Sequence, residues 1–257
     1  MLATCSLSLS FLTPMCQQDK IAVVIPCLNE GNTIGPLVCE IRRHLRNVFV
    51  VNDGSTDNTA AAATNAEAKV IDHARSQGKG ASLRTGFNAA TQAGFAWALA
   101  MDGDGQHAPS DIPGFLRAVE RTDASLLVGD RMGSAQCMPV VRRLVNRWMS
   151  RKISEFCNAE VLDSQCGFRM VNLNDWRRLP FSSNHFEIES EMIIRFLSAG
   201  GTIDFVPIQT RYAAEISKIR PVRDTLRWFR WWFSIRNELC ASPIQRRFKS
   251  APQDVAA

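Results

Sequence analysis

The chain has 257 residues, 46% of them hydrophobic, enough to bury the core of one large α/β domain and marking a folded, soluble-type protein. The formal charge of +5 is mild, but basic residues crowd the stretch from Lys218 to Lys249 against only Asp224 and Glu238, which leaves nucleic acid, anionic lipid or a phosphorylated substrate as acidic partners. The 8 cysteines stand singly at 5, 16, 27, 39, 137, 157, 166 and 240, a scatter that excludes zinc-site pairing and a compact disulfide framework and fits a reducing compartment. Residues 1–20 carry an apolar patch with no basic segment before it, so they are expected to be a disordered leader rather than a secretory signal, with Met15 as an alternative start. No stretch reaches the ~20 apolar residues that a bilayer crossing needs.

Ile21 to Ile25 is a continuously apolar run closed by Pro26, the pattern of a parallel strand buried on both faces. Asn29 and Glu30 follow in a loop, and a helix is predicted to about His44; no Gly-x-Gly-x-x-Gly fingerprint is present. A second buried strand, Val48 to Val51, runs into Asn52-Asp53-Gly54-Ser55-Thr56-Asp57. Ligands in open α/β sheets gather at the carboxyl ends of strands, which points Asp53 at the crevice beside Glu30, with a local turn as its competing reading, whereas Asp57 is read as the cap of the alanine-rich helix that follows. Ser76-Gln77-Gly78-Lys79-Gly80 lacks the Walker spacing. Its lysine, between glycines at a helix start, reads either as a phosphate site or as a capped turn, and the helix beyond presents Leu83, Phe87 and Ala90 on one face.

The third strong strand, Phe95 to Met101, delivers Asp102-Gly103-Asp104-Gly105-Gln106-His107. Two carboxylates at i and i+2 would face opposite ways on a continuing strand, so the glycines beside Asp104 are expected to bend the backbone until both acids meet one hard cation. The competing reading is an acidic turn. Strand alternating with helix is the order of a parallel sheet. A helix from Pro109 and a strand from Ala124 to Gly129, ending in Asp130-Arg131, come next.

From Met132 the composition shifts to a basic amphipathic helix carrying Arg142, Arg143, Arg147, Arg151 and Lys152 among Val141, Leu144, Val145, Trp148 and Met149. Asp163 to Arg169 reads as a loop or short strand. Glu187, Glu189 and Glu191 open a helix to Leu197, where acids suit the dipole, and a strand from Thr202 to Ile208 follows. On the last helix, Arg223 to Arg236, a stripe of Arg223, Arg227, Arg230 and Ser234 is flanked by Leu226, Trp228, Phe229, Trp231, Trp232, Phe233 and Ile235. Such a helix either lies on a membrane surface or packs on the core or in a dimer.

Together these motifs resemble glycosyltransferase family 2, in its polyprenyl-phosphate (dolichyl-phosphate mannosyltransferase-like) branch, from Ile21 to about Phe233. The signals are Val24-Ile25-Pro26 to Asn29-Glu30, Val51 to Asp57, Gly78-Lys79-Gly80, Met101 to His107, Cys166-Gly167-Phe168-Arg169 and Ser217-Lys218-Ile219-Arg220-Pro221. The resemblance implies a GT-A fold, a Rossmann-like, mostly parallel α/β sheet flanked by helices, over residues 21–217. A basic amphipathic segment at 218–240 and a flexible tail at 241–257 would follow. It implies that Pro26, Glu30 and Asp53 hold the nucleoside, that Asp102, Asp104 and Gln106 bind Mg²⁺ or Mn²⁺, and that Lys79 lies near the donor phosphates. Arg131, Arg169, Lys218 and Arg220 would meet phosphates of donor or acceptor. His107 is expected behind the metal ligands.

Two departures stand out: Gly103 replaces a frequent alanine, and the segment before Ser217 lacks a basic residue often found there. Many relatives add C-terminal membrane helices; here the Arg/Trp helix is expected to anchor the protein peripherally on the cytoplasmic membrane face. The implied reaction is an inverting transfer from a nucleotide-sugar to a polyprenyl phosphate, which needs no general base. A hydroxyl acceptor would need one, with Glu189 or Glu191 as candidates. A sugar-phosphate nucleotidyltransferase and a non-catalytic basic binding module are the other readings. The first is disfavoured because Cys27 to Gly35 is not its Gly-rich, Arg-containing loop, and no nucleic-acid partner is expected.

Overall fold

The computed structural model describes residues 17–133, 138–209 and 221–241. The leader up to residue 16, the tail from 242, and Lys218 with Arg220 lie outside the described residues. The strands are β1 (Ile21–Cys27), β2 (Val48–Asn52), β3 (Lys69–Asp72), β4 (Trp97–Ala100), β5 (Leu126–Asp130), β6 (Arg169–Asn172) and β7 (Ile203–Pro207). The helices are α1 (Ile34–Ile41), α2 (Thr59–Asn65), α3 (Lys79–Gln92), α4 (Ile112–Arg121), α5 (Val140–Cys157), α6 (Leu173–Trp176), α7 (Glu187–Ser198) and α8 (Pro221–Ala241).

One seven-stranded sheet has the order β3-β2-β1-β4-β6-β5-β7. Its centre is the apolar run read from the sequence: Ile21, Ala22, Val23, Val24 and Ile25 are all at most 1% exposed. Leu83 and Phe87 of α3 are buried against the sheet as the periodicity required, each contributing about 1.5–3 kcal/mol. β3 was not foreseen. Only Val70 and Ile71 of its four residues are apolar, and it is a short edge strand flanked by exposed Lys69 and Asp72, too brief for a periodic signal.

All neighbours pair in parallel except β6, which is antiparallel to both β4 and β5. This one reversal places the site. β6 starts where its neighbours end, with Arg169 opposite Ala100, so the segment before it, Asp163 to Phe168, arrives at the same edge as Asp102. That edge also lies at the switch between β1 and β4, where successive connections diverge to opposite sides of β1 and open a crevice.

Candidate active site

Three distant elements meet at Lys79. The lysine opens α3, and its Nζ lies 2.6 Å from Oδ1 of Asp102, just beyond β4, and 2.5 Å from Oε1 of Glu189, in the first turn of α7. Burial works against the ammonium, but the two carboxylates outweigh it and hold Lys79 protonated above its ordinary range. Burial likewise pushes Asp102 up, and Lys79 with His107 more than offsets this, leaving the Asp102 carboxyl below the usual carboxylate range. His107 Nε2 stands 3.4 Å from Asp102 Oδ2, while the ring, 3% exposed, packs on Phe168 and its Nδ1 has no partner among the described residues.

Asp104 is the contrasting acid. Burial and the nearby charge of Asp102 both push its carboxyl up, and its Oδ1 accepts the Gln106 N–H at 3.0 Å. The bend between the acids is real but has two causes. Gly105 takes a left-handed φ of 72°, whereas Gly103 is needed for space, since a Cβ there would sit 2.7 Å from Cys27 Sγ. Gly167 is also a spacer: its Cβ would lie 2.6 Å from Asp102 Oδ2 and 2.8 Å from Lys79 Nζ. The motif segment Cys166 to Arg169 therefore closes over the ion pair through bare backbone.

Among the described residues no three His, Cys, Asp or Glu side chains form a ready metal cage. Two neighbouring carboxylates, one raised by the other, nonetheless fit a divalent cation, which would relieve their repulsion.

Across the crevice, Glu30 joins this corner through Thr33, whose hydroxyl donates to the Gly103 carbonyl at 2.8 Å and lies 3.4 Å from Glu30 Oε2. Pro26 is half-buried near the end of β1. Thr33 is a contact that sequence reasoning missed, because a lone threonine before a helix carries no signal of a partner seventy residues away.

Asp53 sits at the strand end as foreseen, but this chain uses its oxygens. Ser76 Oγ (2.7 Å) and the N–H groups of Gln77 (2.9 Å) and Gly78 (2.8 Å) donate to it, and His73 Nδ1 lies 2.7 Å away. Burial would raise its carboxyl, yet these bonds hold it below the ordinary range. Its visible work is to shape the turn that launches Lys79. Asp57 ties to Thr59 and to Gly31 N–H at 3.0 Å, a structural role in line with expectation.

Arg131 and Arg169, expected at phosphates, are engaged by the protein itself. Arg131, 6% exposed, pairs through Nε and Nη2 with Asp163 at 2.7 and 2.9 Å, and Asn146 completes this buried cluster. Arg169 is fully buried, donating to the carbonyls of Cys166 (2.6 Å), Ser164 (2.9 Å) and Glu189. Both guanidiniums bond to the segment from Asp163 to Cys166, and Arg169 also reaches α7 at the Glu189 carbonyl. Glu191, the other base candidate, is fully buried and accepts from the backbone N–H groups of Ser182 and Ser183 and from Arg195.

The last helix divides its apolar coverage. Trp228, Trp232, Ile235 and Leu239 are at most 7% exposed and pack on the core, so these tryptophans are not membrane anchors. Trp228 Nε1–H donates to Ser190 Oγ at 2.9 Å, Arg227 Nε lies 3.6 Å from Glu187 Oε1, and Arg195 pairs with Glu238 at 2.6 Å. α8 is thus clamped along α7, the helix that carries Glu189.

A seven-stranded, mostly parallel sheet with one reversed strand and an acidic corner at its carboxyl edge defines a GT-A fold. The family model described as Glycosyl transferase family 2 matches residues 22–176, more than half of the chain, and the chain belongs to this family of glycosyltransferases. It is 30% identical over 201 residues to an uncharacterised protein of Methanocaldococcus jannaschii, covering 76% of this chain and 83% of the other. It is 28% identical over 218 residues to the UDP-N-acetylglucosamine–dolichyl-phosphate N-acetylglucosaminyltransferase of Methanococcus voltae, covering 76% and 87%. Among solved structures, glucosyl-3-phosphoglycerate synthase from Mycobacterium tuberculosis in complex with UDP is similar at a TM-score of 0.68 and 20% identity, over 88% of this chain and 84% of that one. The same synthase has been solved with Mn²⁺, UDP and phosphoglyceric acid. At that identity the likeness carries the fold alone.

Proposed function

We propose that this glycosyltransferase moves a sugar, with inversion, from a nucleoside-diphosphate sugar to a polyprenyl phosphate at the cytoplasmic face of a membrane. The observation that carries the reading is the junction of Lys79, Asp102 and Glu189 at the switch-point crevice. The dolichyl-phosphate enzyme of Methanococcus voltae supports the choice of acceptor. Among the described residues no helix is long and apolar enough to cross a membrane, and in this reading the enzyme meets the bilayer at its surface.

In the reaction, an anionic acceptor oxygen attacks the anomeric carbon opposite the nucleoside diphosphate, whose C–O bond breaks as the new one forms. Glu30 and Pro26 line the nucleoside side, and Asp53 shapes the turn that sets Lys79 beside the donor phosphates. Asp102 and Asp104, with Gln106, would hold Mg²⁺ or Mn²⁺, which neutralises charge on the departing diphosphate and is worth several kcal/mol, roughly. Because the acceptor phosphate is already ionised, no general base is needed. Glu189, with one oxygen occupied by Lys79, serves to position that ammonium.

Purified protein incubated with radiolabelled nucleotide-sugars, polyprenyl phosphate and Mn²⁺ should place label in the lipid phase. Pyrophosphate release without lipid product would instead indicate a nucleotidyltransferase. Asp104→Ala should lower metal-dependent transfer by about 10²–10³-fold while Glu189→Gln keeps most of its activity. Complete loss in Glu189→Gln would move the acceptor to a sugar hydroxyl.

A further inference from the structure

A surface helix ordinarily turns its apolar stripe inward. The N-terminal half of α5 does the reverse. Its inward positions include Asn146 and Ser150, 4% and 3% exposed, which bond to Asp163 at 2.9 Å and Ser164 at 3.1 Å. That buried polar network sets the rotation of the helix and turns Val140, Val141, Leu144 and Trp148 outward at 59%, 74%, 58% and 39% exposure. Val140, Leu144 and Trp148 follow the i, i+4, i+8 spacing of a single stripe.

The stripe continues onto α8. The Trp148 ring lies 5.2 Å from that of Phe229, which shares a helix face with Leu226 and Phe233, both 58% exposed. Of the eight large hydrophobic side chains exposed among the described residues, six lie on this ridge, so they form a patch and not a scatter. Its rim is basic. Arg147, Arg223 and Arg230 are exposed, while neighbouring Glu155 is paired with Arg151 and Lys152, and Glu238 with Arg195.

We propose that the joined outer faces of α5 and α8 seat on an anionic lipid bilayer, with the apolar ridge in the acyl boundary and the arginines among the headgroups. Charge complementarity selects this occupant. The arginines match anionic headgroups while the ridge matches the acyl boundary, and the two follow one continuous surface of α5 and α8. Placement agrees with it: Arg227 and Trp228 of the same helix touch Glu187 and Ser190, on either side of Glu189. The bilayer would lie next to the turn where the acceptor is used, and in that respect the inference rests on the proposed lipid-phosphate reaction.

The test is flotation of the full chain with phosphatidylcholine vesicles, with and without about one-third phosphatidylglycerol. Wild type should float with the anionic vesicles only, and Val141→Glu/Leu144→Glu should reduce flotation by about tenfold or more at an unchanged unfolding midpoint. Failure of wild type to float, or equal flotation of the double variant, overturns the proposal. So does a wild-type dimer in sedimentation that the double variant dissociates without any flotation, since the ridge would then join two copies. Transfer to detergent-solubilised polyprenyl phosphate is read separately: its absence in wild type breaks the proposed reaction and leaves the flotation result standing.

Discussion

The two halves of the sheet edge use charge in opposite ways. On the side of β1, β2 and β4, carboxylates stand at strand ends, and one of them, Asp104, is held in a state its surroundings disfavour. On the side of β5 and α7, two buried arginines have carboxylate partners: Arg131 with Asp163, and Arg195 with Glu191 and Glu238. Unmet electrostatics mark the place where a ligand's charge is awaited, and satisfied electrostatics mark scaffolding. Charged residues can therefore belong to either class, as Asp104 and Arg131 do.

This contrast can be broken most directly at Asp163, whose side chain is fully buried against Arg131. Asp163→Ala should lower unfolding free energy by about 3–5 kcal/mol in urea titrations, because it strands a buried guanidinium. A loss below 1 kcal/mol, roughly, would mean that the pair is not scaffolding. Asp104→Ala should behave oppositely, lowering the transfer rate by about 10²–10³-fold while leaving stability equal or higher, since a carboxyl whose ionisation is disfavoured opposes the fold. A drop in melting temperature together with activity would erase the distinction.

Smaller effects sharpen the picture. Gly103→Ala should destabilise by about 1–3 kcal/mol through the 2.7 Å approach to Cys27 Sγ, and Cys27→Ala in the same chain should recover most of it. Lack of recovery would show that Gly103 is needed for its backbone and not for space.

Asp53 provides a pH test. Its folded pKa is depressed below 3.8, so the stability it contributes is complete above the unfolded value and is lost as pH falls through the folded one. Asp53→Asn should therefore flatten the stability profile below about pH 4. An unchanged acid limb would mean that its four partners do not hold the charge.

The smallest effect is chemical. Burial pushes the thiols of Cys157 and Cys166 up to about 12, while Cys39 and Cys240 are exposed. Iodoacetamide near neutral pH should label the latter two and spare the former by peptide mass analysis. Rapid labelling of Cys166 would reveal that the loop over Asp102 opens.

The amino-acid sequence alone displayed the acidic edge of the sheet. Continuous apolar runs at Ile21, Val48 and Phe95, closed by turn residues, read as doubly buried strands, and the acids that follow each run are carried to a common edge by parallel connection. Tertiary structure decided the rest. The direction of β6 is settled by long-range pairing with β4 and β5, and it is this reversal that brings Gly167 onto Asp102. Nothing local distinguishes a phosphate-binding arginine from a bracing one. Arg131 becomes the latter because Asp163, thirty-two residues away, is buried against it. The rotation of α5 was equally hidden, since an apolar stripe predicts an inward face until Asn146 and Ser150 find polar partners beneath it. Backbone propensity and apolar periodicity are local quantities that a sequence displays; the pairing of buried charges and polar groups is set by the neighbours that folding supplies.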